Sequence, residues 1–268
     1  MDADANEVRM VCLPDRGAKP DFLPQQDGTT ADLWTWLFQA NTPKGRVARH
    51  HCSAAAMLEL VKPIAVIDFE TTGLSPTMGD RATEVAIVML EGDRVVDRFQ
   101  SLMNAGVRIP AFIEAYTGIS NAMIADAPPA QTVMADAARF VGDAPMAAHN
   151  ASFDRRFWES ELQLAGQQAA HPFACTLLLS RRLYPQASNY KLGSLAAFHA
   201  LPSSGRAHRA LADAEVAAAL LGQIRHDLRR QYGIGECRHD LLVKVQKTAR
   251  AAVPKVIEKY LKAETPAG

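Results

Sequence analysis

Asp68 and Glu70 stand two residues apart in Val66-Ile67-Asp68-Phe69-Glu70-Thr71-Thr72-Gly73-Leu74, inside an otherwise apolar run. On a β-strand that spacing projects both carboxylates from one face. Like charges in an apolar setting repel, and burying them is costly unless something positive neutralises them. A hard divalent cation with oxygen ligands, Mg²⁺ or Mn²⁺, answers that need. Gly73 would then allow a tight turn in which backbone approaches a ligand. Taken alone, the pair fits an edge strand with two solvated acids about as well.

Two further segments carry chemistry-bearing residues. In Ala148-His149-Asn150-Ala151-Ser152-Phe153-Asp154 the acid falls in the first turn of an expected helix. An isolated Asp there is best explained as a complement to the helix dipole. In His208-Arg209-Ala210-Leu211-Ala212-Asp213-Ala214 the histidine precedes a long helix and Asp213 lies about one turn inside it. Loop and helix residues can therefore converge on one spot. A lone His at such a place is usually a cap or a surface residue; close to a metal, a histidine is suited to take a proton from an attacking water.

The elements that must position these residues follow from periodicity. Ile64–Phe69 reads as a buried strand. Glu84–Leu90 and Arg94–Leu102 read as two more, joined by the turn Glu91-Gly92-Asp93. Residues 111–142 read as helix broken by Pro128-Pro129, and Pro145–His149 as a short strand. Asn150 is expected to cap a helix to about Ala165. A strand at Phe173–Thr176, helices at 176–183 and 191–199, and a long helix from Arg209 to Arg230 complete the set. A meander followed by alternation of strands and helices predicts an α/β domain with a mixed sheet flanked by helices.

Both ends differ from this domain. Residues 1–30, rich in Asp, Pro, Gly and Gln, are expected to be a poorly ordered tail. Residues 31–61 are expected to be helical, and Trp34 and Trp36 there must either pack on the main domain or dock a partner. The main domain is placed at 62–230. Residues 231–268 form a helical extension interrupted by Pro254; residues 224–262 carry ten Lys or Arg against four acids. Such a run is usually a solvated face, with a nucleic-acid or partner role as the alternative.

The chain has 268 residues and a formal net charge of zero, which argues against electrostatic coating of long nucleic acid. Its four cysteines lack a CxxC pair and read as free thiols in a reducing compartment. No stretch reaches the ~18 uninterrupted apolar residues of a membrane span. A cytoplasmic location with no membrane partner is the expectation.

The ordered set resembles the DEDDh 3′→5′ exonuclease family, which includes the epsilon proofreading subunit of bacterial DNA polymerase III, ribonuclease T and oligoribonuclease. DFETTGL from Asp68, HNASFD ending at Asp154 and HRALAD ending at Asp213 match its three motifs in order. Arg81–Val85, Thr117–Ser120, Cys175–Leu177 and Lys191–Leu195 also look like the family. His208, with no Tyr four residues before Asp213, favours the His-type branch. Thr117 departs from the pattern, since many relatives have His before Gly-Ile. The resemblance covers roughly residues 62–230.

It implies a ribonuclease H-like fold and a metal-dependent exonuclease releasing nucleoside 5′-monophosphates from 3′ ends. Asp68 would bridge two divalent ions, Mg²⁺ or Mn²⁺. Glu70 and Asp213 would complete the site of one ion, and Asp154 would hold the other. His208 would act as general base, and Thr71, Leu74 and Phe153 would line the pocket for the terminal nucleotide. Single-stranded 3′ ends, DNA ahead of RNA, are the expected substrate, with a DNA polymerase or clamp as candidate partner of the terminal extensions. The alternatives are an RNA-trimming exonuclease and a catalytically silent binding module. All five catalytic positions being filled speaks against the silent one.

Overall fold

A computed structural model describes residues 62–168, 170–202 and 208–264. The expected tail at 1–30 and the expected helices of 31–61 lie outside the described residues. So do two of the four cysteines; Cys175 and Cys237 are buried free thiols.

The sheet has five strands. β1 (Ile64–Thr71), β2 (Ala82–Glu91) and β3 (Arg94–Leu102) form the expected meander. β4 (Met146–Ala148) and β5 (Phe173–Cys175) run parallel to β1, giving the order β3-β2-β1-β4-β5. Central β1 is covered on both sides. Ile64 and Val66 face one apolar cluster, and Ala65, Ile67 and Phe69 face another. This double burial explains why the strand reads as a continuous apolar run.

Seven of the helices frame that sheet. The stretch expected as one broken helix is three: α1 (Ala111–Thr117), α2 (Asn121–Ala125) and α3 (Ala130–Val141). Pro128-Pro129 makes the second break, as expected. The first arises at Gly118, whose φ of 74° closes α1, and at Ser120, whose hydroxyl accepts the Met123 amide. α4 (Ser152–Leu164), α5 (Thr176–Leu183), α6 (Leu192–Phe198) and α7 (Ala210–Tyr232) follow. α7 lies over β1 and β2 with Ala210, Ala214, Ala217 and Ala218 buried inward. These short side chains let its backbone come close to the sheet.

Two more helices, α8 (His239–Gln246) and α9 (Val253–Glu264), come from the segment expected as an extension. Leu241, Leu242, Val245, Val253 and Ile257 join the same apolar cluster as Val66. Gln246 covers the free edge of β5: its side-chain amide donates to the Phe173 carbonyl and accepts the Cys175 amide. Pro254 does not interrupt a helix. It is the second residue of α9, where no hydrogen-bonded N–H is needed. Among the described residues no helix is long and apolar enough to cross a membrane.

Candidate active site

The acids gather where β1 leaves the sheet. Val66, Asp68 and Glu70 share one face of the strand, and Val66 packs there in one apolar cluster with α7. Beyond it the first turn of α7 brings Asp213 over the two carboxylates. Asp68, Glu70 and Asp213 each offer an oxygen, and these oxygens lie within 4.8 Å of one another. Asp154, third residue of α4, reaches the same strand from the other side. It is buried, and its Oδ1 accepts the Phe69 amide at 3.3 Å.

The electrostatics of this cluster are unfavourable without a counter-charge. Burial, then repulsion from Asp154, Glu70, Asp213 and Glu84, holds the Asp68 carboxyl well above the usual range. Burial first, then Glu84 and Asp213, pushes Glu70 up to about 8, against a smaller opposing pull from Arg209. Burial lifts Asp154 to about 7, although two backbone amides oppose the rise. Asp213 is raised by burial too, partly offset by the His208 amide that donates to its Oδ2 at 3.2 Å. Three convergent carboxylates whose charge the fold itself does not neutralise suit a divalent cation, the hard-oxygen chemistry that such ions take.

His208 immediately precedes Arg209, the N-cap of α7, and has the left-handed φ of 62°. Its ring lies against Tyr116. It is thus a neighbour of Asp213 but not one of the three convergent ligands. Thr71 is buried, and its hydroxyl donates to the Gly73 carbonyl at 2.6 Å. Leu74 is 77% exposed, and the Phe153 ring packs tilted against that of Phe157, with centroids 4.9 Å apart. The three expected pocket residues therefore flank the acids as one buried, one exposed and one half-buried group.

Local expectations need amending at two places. Asn150 does not cap α4 by its side chain; it takes a left-handed φ of 64° and its carbonyl receives the Phe153 amide, with Ala151 at the N-cap. Gly73 is set by packing rather than by a left-handed turn: a Cβ there would lie 2.4 Å from the Asp80 carboxyl, which would have to move. That carboxyl accepts the Ser75 amide and fixes the loop carrying Leu74. Thr117 is buried at the end of α1, its hydroxyl donating to the Ile113 carbonyl and accepting the Ile119 amide.

His149 has a supporting place that the motif alone does not reveal. Its Nε2 donates to the Tyr190 carbonyl at 3.0 Å and its Nδ1 accepts the Thr176 hydroxyl at 2.9 Å. Burial pushes this imidazole down to about 4, keeping it neutral. Glu84 was legible only as part of Arg81–Val85. Its register with Glu70 across β1 and β2 was the signal, and it required knowing the pairing.

A mixed β3-β2-β1-β4-β5 sheet flanked by helices, with acids at the exit of its central strand, is a ribonuclease H-like nuclease architecture. The sequence profile of the exonuclease family matches residues 65–221. The 3′-5′ exonuclease DinG of Bacillus subtilis is 38% identical over 166 residues, covering 62% of this chain and 18% of DinG. DNA polymerase III subunit epsilon of Aquifex aeolicus is 33% identical over 172 residues, covering 64% of this chain and 84% of that subunit. The match spans less than a fifth of DinG, and 11% of the PolC-type polymerase III of Caldanaerobacter subterraneus. Exonuclease X, solved in complex with 5′ overhanging duplex DNA, superposes with a TM-score of 0.55 at 28% identity, covering 68% of this chain and 99% of that one. The chain belongs to the exonuclease family.

Proposed function

We propose that this chain is a metal-dependent 3′→5′ exonuclease that removes nucleoside 5′-monophosphates from single-stranded DNA ends. The observation that carries this is the convergence of Asp68, Glu70 and Asp213, whose oxygens lie within 4.8 Å of one another. Asp68, Glu70, Asp213 and Asp154 would hold the divalent ions, Mg²⁺ or Mn²⁺. When bound, such ions supply Lewis-acid activation of water and neutralise charge on the scissile phosphate and leaving oxygen.

The chain's own residues supply the rest. His208, next to Asp213, accepts the proton of the attacking water. The water oxygen bonds to phosphorus, the P–O3′ bond breaks with its electron pair going to O3′, and O3′ takes a proton from solvent to become the 3′ hydroxyl of the shortened strand. Thr71, Leu74 and Phe153 floor the terminal nucleotide. The exposed Leu74 and the Phe153 ring offer apolar surface that any base can cover, so little base specificity is expected. Zero net charge is compatible with this chemistry because the ions carry the positive charge.

DNA is preferred over RNA as substrate because the epsilon subunit of Aquifex aeolicus belongs to a DNA polymerase and Exonuclease X was solved on DNA. A polymerase is a candidate partner on the same ground. The test is digestion of end-labelled linear DNA and RNA single strands with Mg²⁺, Mn²⁺ or chelator. Nucleoside 5′-monophosphates from the 3′ end of DNA, abolished by chelator, are expected. Digestion in excess chelator, or of circular single strands, would overturn the reading.

A further inference from the structure

Glu84 is an acid that the proposed chemistry does not use. It sits on β2 directly opposite Glu70 of β1 and is fully buried. Its carboxylate accepts four hydrogen bonds: from Arg209 Nε at 3.0 Å, Arg209 Nη2 at 2.8 Å, the Ala210 amide at 3.1 Å and Gln100 Nε2 at 2.8 Å. Four bonds occupy the lone-pair positions a carboxylate has. Glu84 is therefore spent on the protein, which separates it from its three neighbours that are free to take a cation.

What it holds is the start of α7. Arg209 at the N-cap has no side chain that can accept an amide, and none does so there. The orphan N–H of Ala210 is satisfied from another strand by Glu84 instead. Arg209 lies between His208, whose ring leans on α1, and the turn that carries Asp213 to Asp68 and Glu70. A two-toothed guanidinium–carboxylate contact fixes both distance and angle, which a single bond does not.

We infer that Glu84 and Arg209 are positioning residues: their clamp locks the N-terminus of α7 onto β2, and so sets where Asp213 and His208 stand relative to Asp68 and Glu70. This deepens the proposed nuclease reading and rests on it for the roles of Asp213 and His208. The clamp acts on the geometry of the acids and the base, and leaves the nucleotide floor of Thr71, Leu74 and Phe153 untouched.

The experiment compares the full chain with Arg209→Ala, Arg209→Lys and Glu84→Gln. Two quantities are read: the Mn²⁺ concentration giving half of the metal-induced rise in melting temperature, and kcat and KM on single-stranded DNA. Arg209→Ala should raise the half-effect concentration and lower kcat, each by about 10–100-fold, the range for lost outer-sphere support. KM should change less than about threefold. Arg209→Lys keeps the charge without the fork and should recover only part of both losses, and Glu84→Gln should fall between. If Arg209→Ala does not fold, Arg209→Lys and Glu84→Gln are decided by the same two readouts. Folded variants with wild-type Mn²⁺ response and kcat would overturn the inference and leave the clamp a purely structural pair. A wild type that responds to Mn²⁺ yet digests no strand would overturn the nuclease reading instead, while the Mn²⁺ response of the variants still judges the clamp.

Discussion

The imidazole of His208 lies against the phenol ring of Tyr116, with ring centroids 4.0 Å apart and planes inclined by 32°. The contact docks the residue before α7 onto α1, an element distant in sequence. With its amide on Asp213 and its neighbour Arg209 on Glu84, His208 is held from three directions. A non-glycine residue with φ of 62° persists only where its surroundings over-determine it, and such strain concentrates at functional sites.

Replacing His208 with alanine should therefore separate chemistry from structure. Turnover on single-stranded DNA should fall by about 10²–10⁴-fold, the range for a lost acid–base group. The Mn²⁺-induced rise in melting temperature should stay near wild type, because the three convergent carboxylates are untouched. Near-wild-type turnover with a loss of about 1 kcal/mol in stability would assign the residue to the helix start alone.

The acidic cluster sets a direction for stability against pH. Glu70 is raised from 4.5 to about 8 and Asp154 from 3.8 to about 7. In that window the folded chain keeps protons that the unfolded chain has lost, so unfolding releases protons and stability declines as pH rises. The contribution is fully present below about pH 4 and gone above about pH 8, from the same two shifts. Metal-free protein in chelator should accordingly melt at a lower temperature near pH 9 than near pH 5, and Mn²⁺ should flatten the profile. Asp213→Asn should abolish turnover, yet raise the metal-free melting temperature at the alkaline end, since Asn keeps an acceptor for the His208 amide. A melting temperature independent of pH in chelator would mean that these carboxyls are ordinary solvated acids, and one that rises with pH would mean that the fold favours their charged forms.

Much of this was legible in the sequence. The i, i+2 acids, the single glycine at the exit of β1 and the positions of Asp154 and Asp213 inside their helices follow from periodicity and spacing. The roles of Glu84 and Asp80 were not, because each acts across sequence distance through a pairing. Glu84 meets Arg209 only when α7 lies on β2. Asp80 fills the space a Cβ at Gly73 would need, which no turn rule anticipates. The break at Gly118 and the docking of 239–264 were missed for a related reason. Local pattern gives an element's type, while its neighbours decide where it stops and what it covers.

Gly73 offers a test of the loop that carries Leu74. An alanine there must displace the Asp80 carboxyl, 2.4 Å from the new methyl, and with it the 2.9 Å bond to the Ser75 amide. Gly73→Ala should lower kcat/KM on DNA by about tenfold, within the loss that about 1 Å of misplacement produces. Asp80→Ala frees the space, so adding Gly73→Ala in that background should have almost no further effect. Equal effects of Gly73→Ala in both backgrounds would show that Asp80 is not the obstacle.

The final test concerns Arg81, which closes the same loop against α4. Its Nε and Nη2 donate to the two oxygens of Glu161 at 2.9 and 2.8 Å, and its Nη1 donates to the Ala105 carbonyl. Its backbone exchanges bonds with Thr72, so the exit of β1 is tied through Arg81 to the helix bearing Asp154. Glu161 is 2% exposed. Removing the arginine leaves that carboxylate buried with one remaining partner, the Ala82 amide. Arg81→Met should then cost about 3–5 kcal/mol in denaturant unfolding, the penalty of a broken buried pair rather than the net worth of the pair. Arg81→Met combined with Glu161→Leu should cost less than Arg81→Met alone, because no buried charge is stranded. Turnover should fall in the single variant at temperatures where it is still folded, since Asp154 loses its fixed distance from β1. A double variant less stable than the single would show that the two side chains contribute mainly as packing volume, and that the charge pairing is incidental.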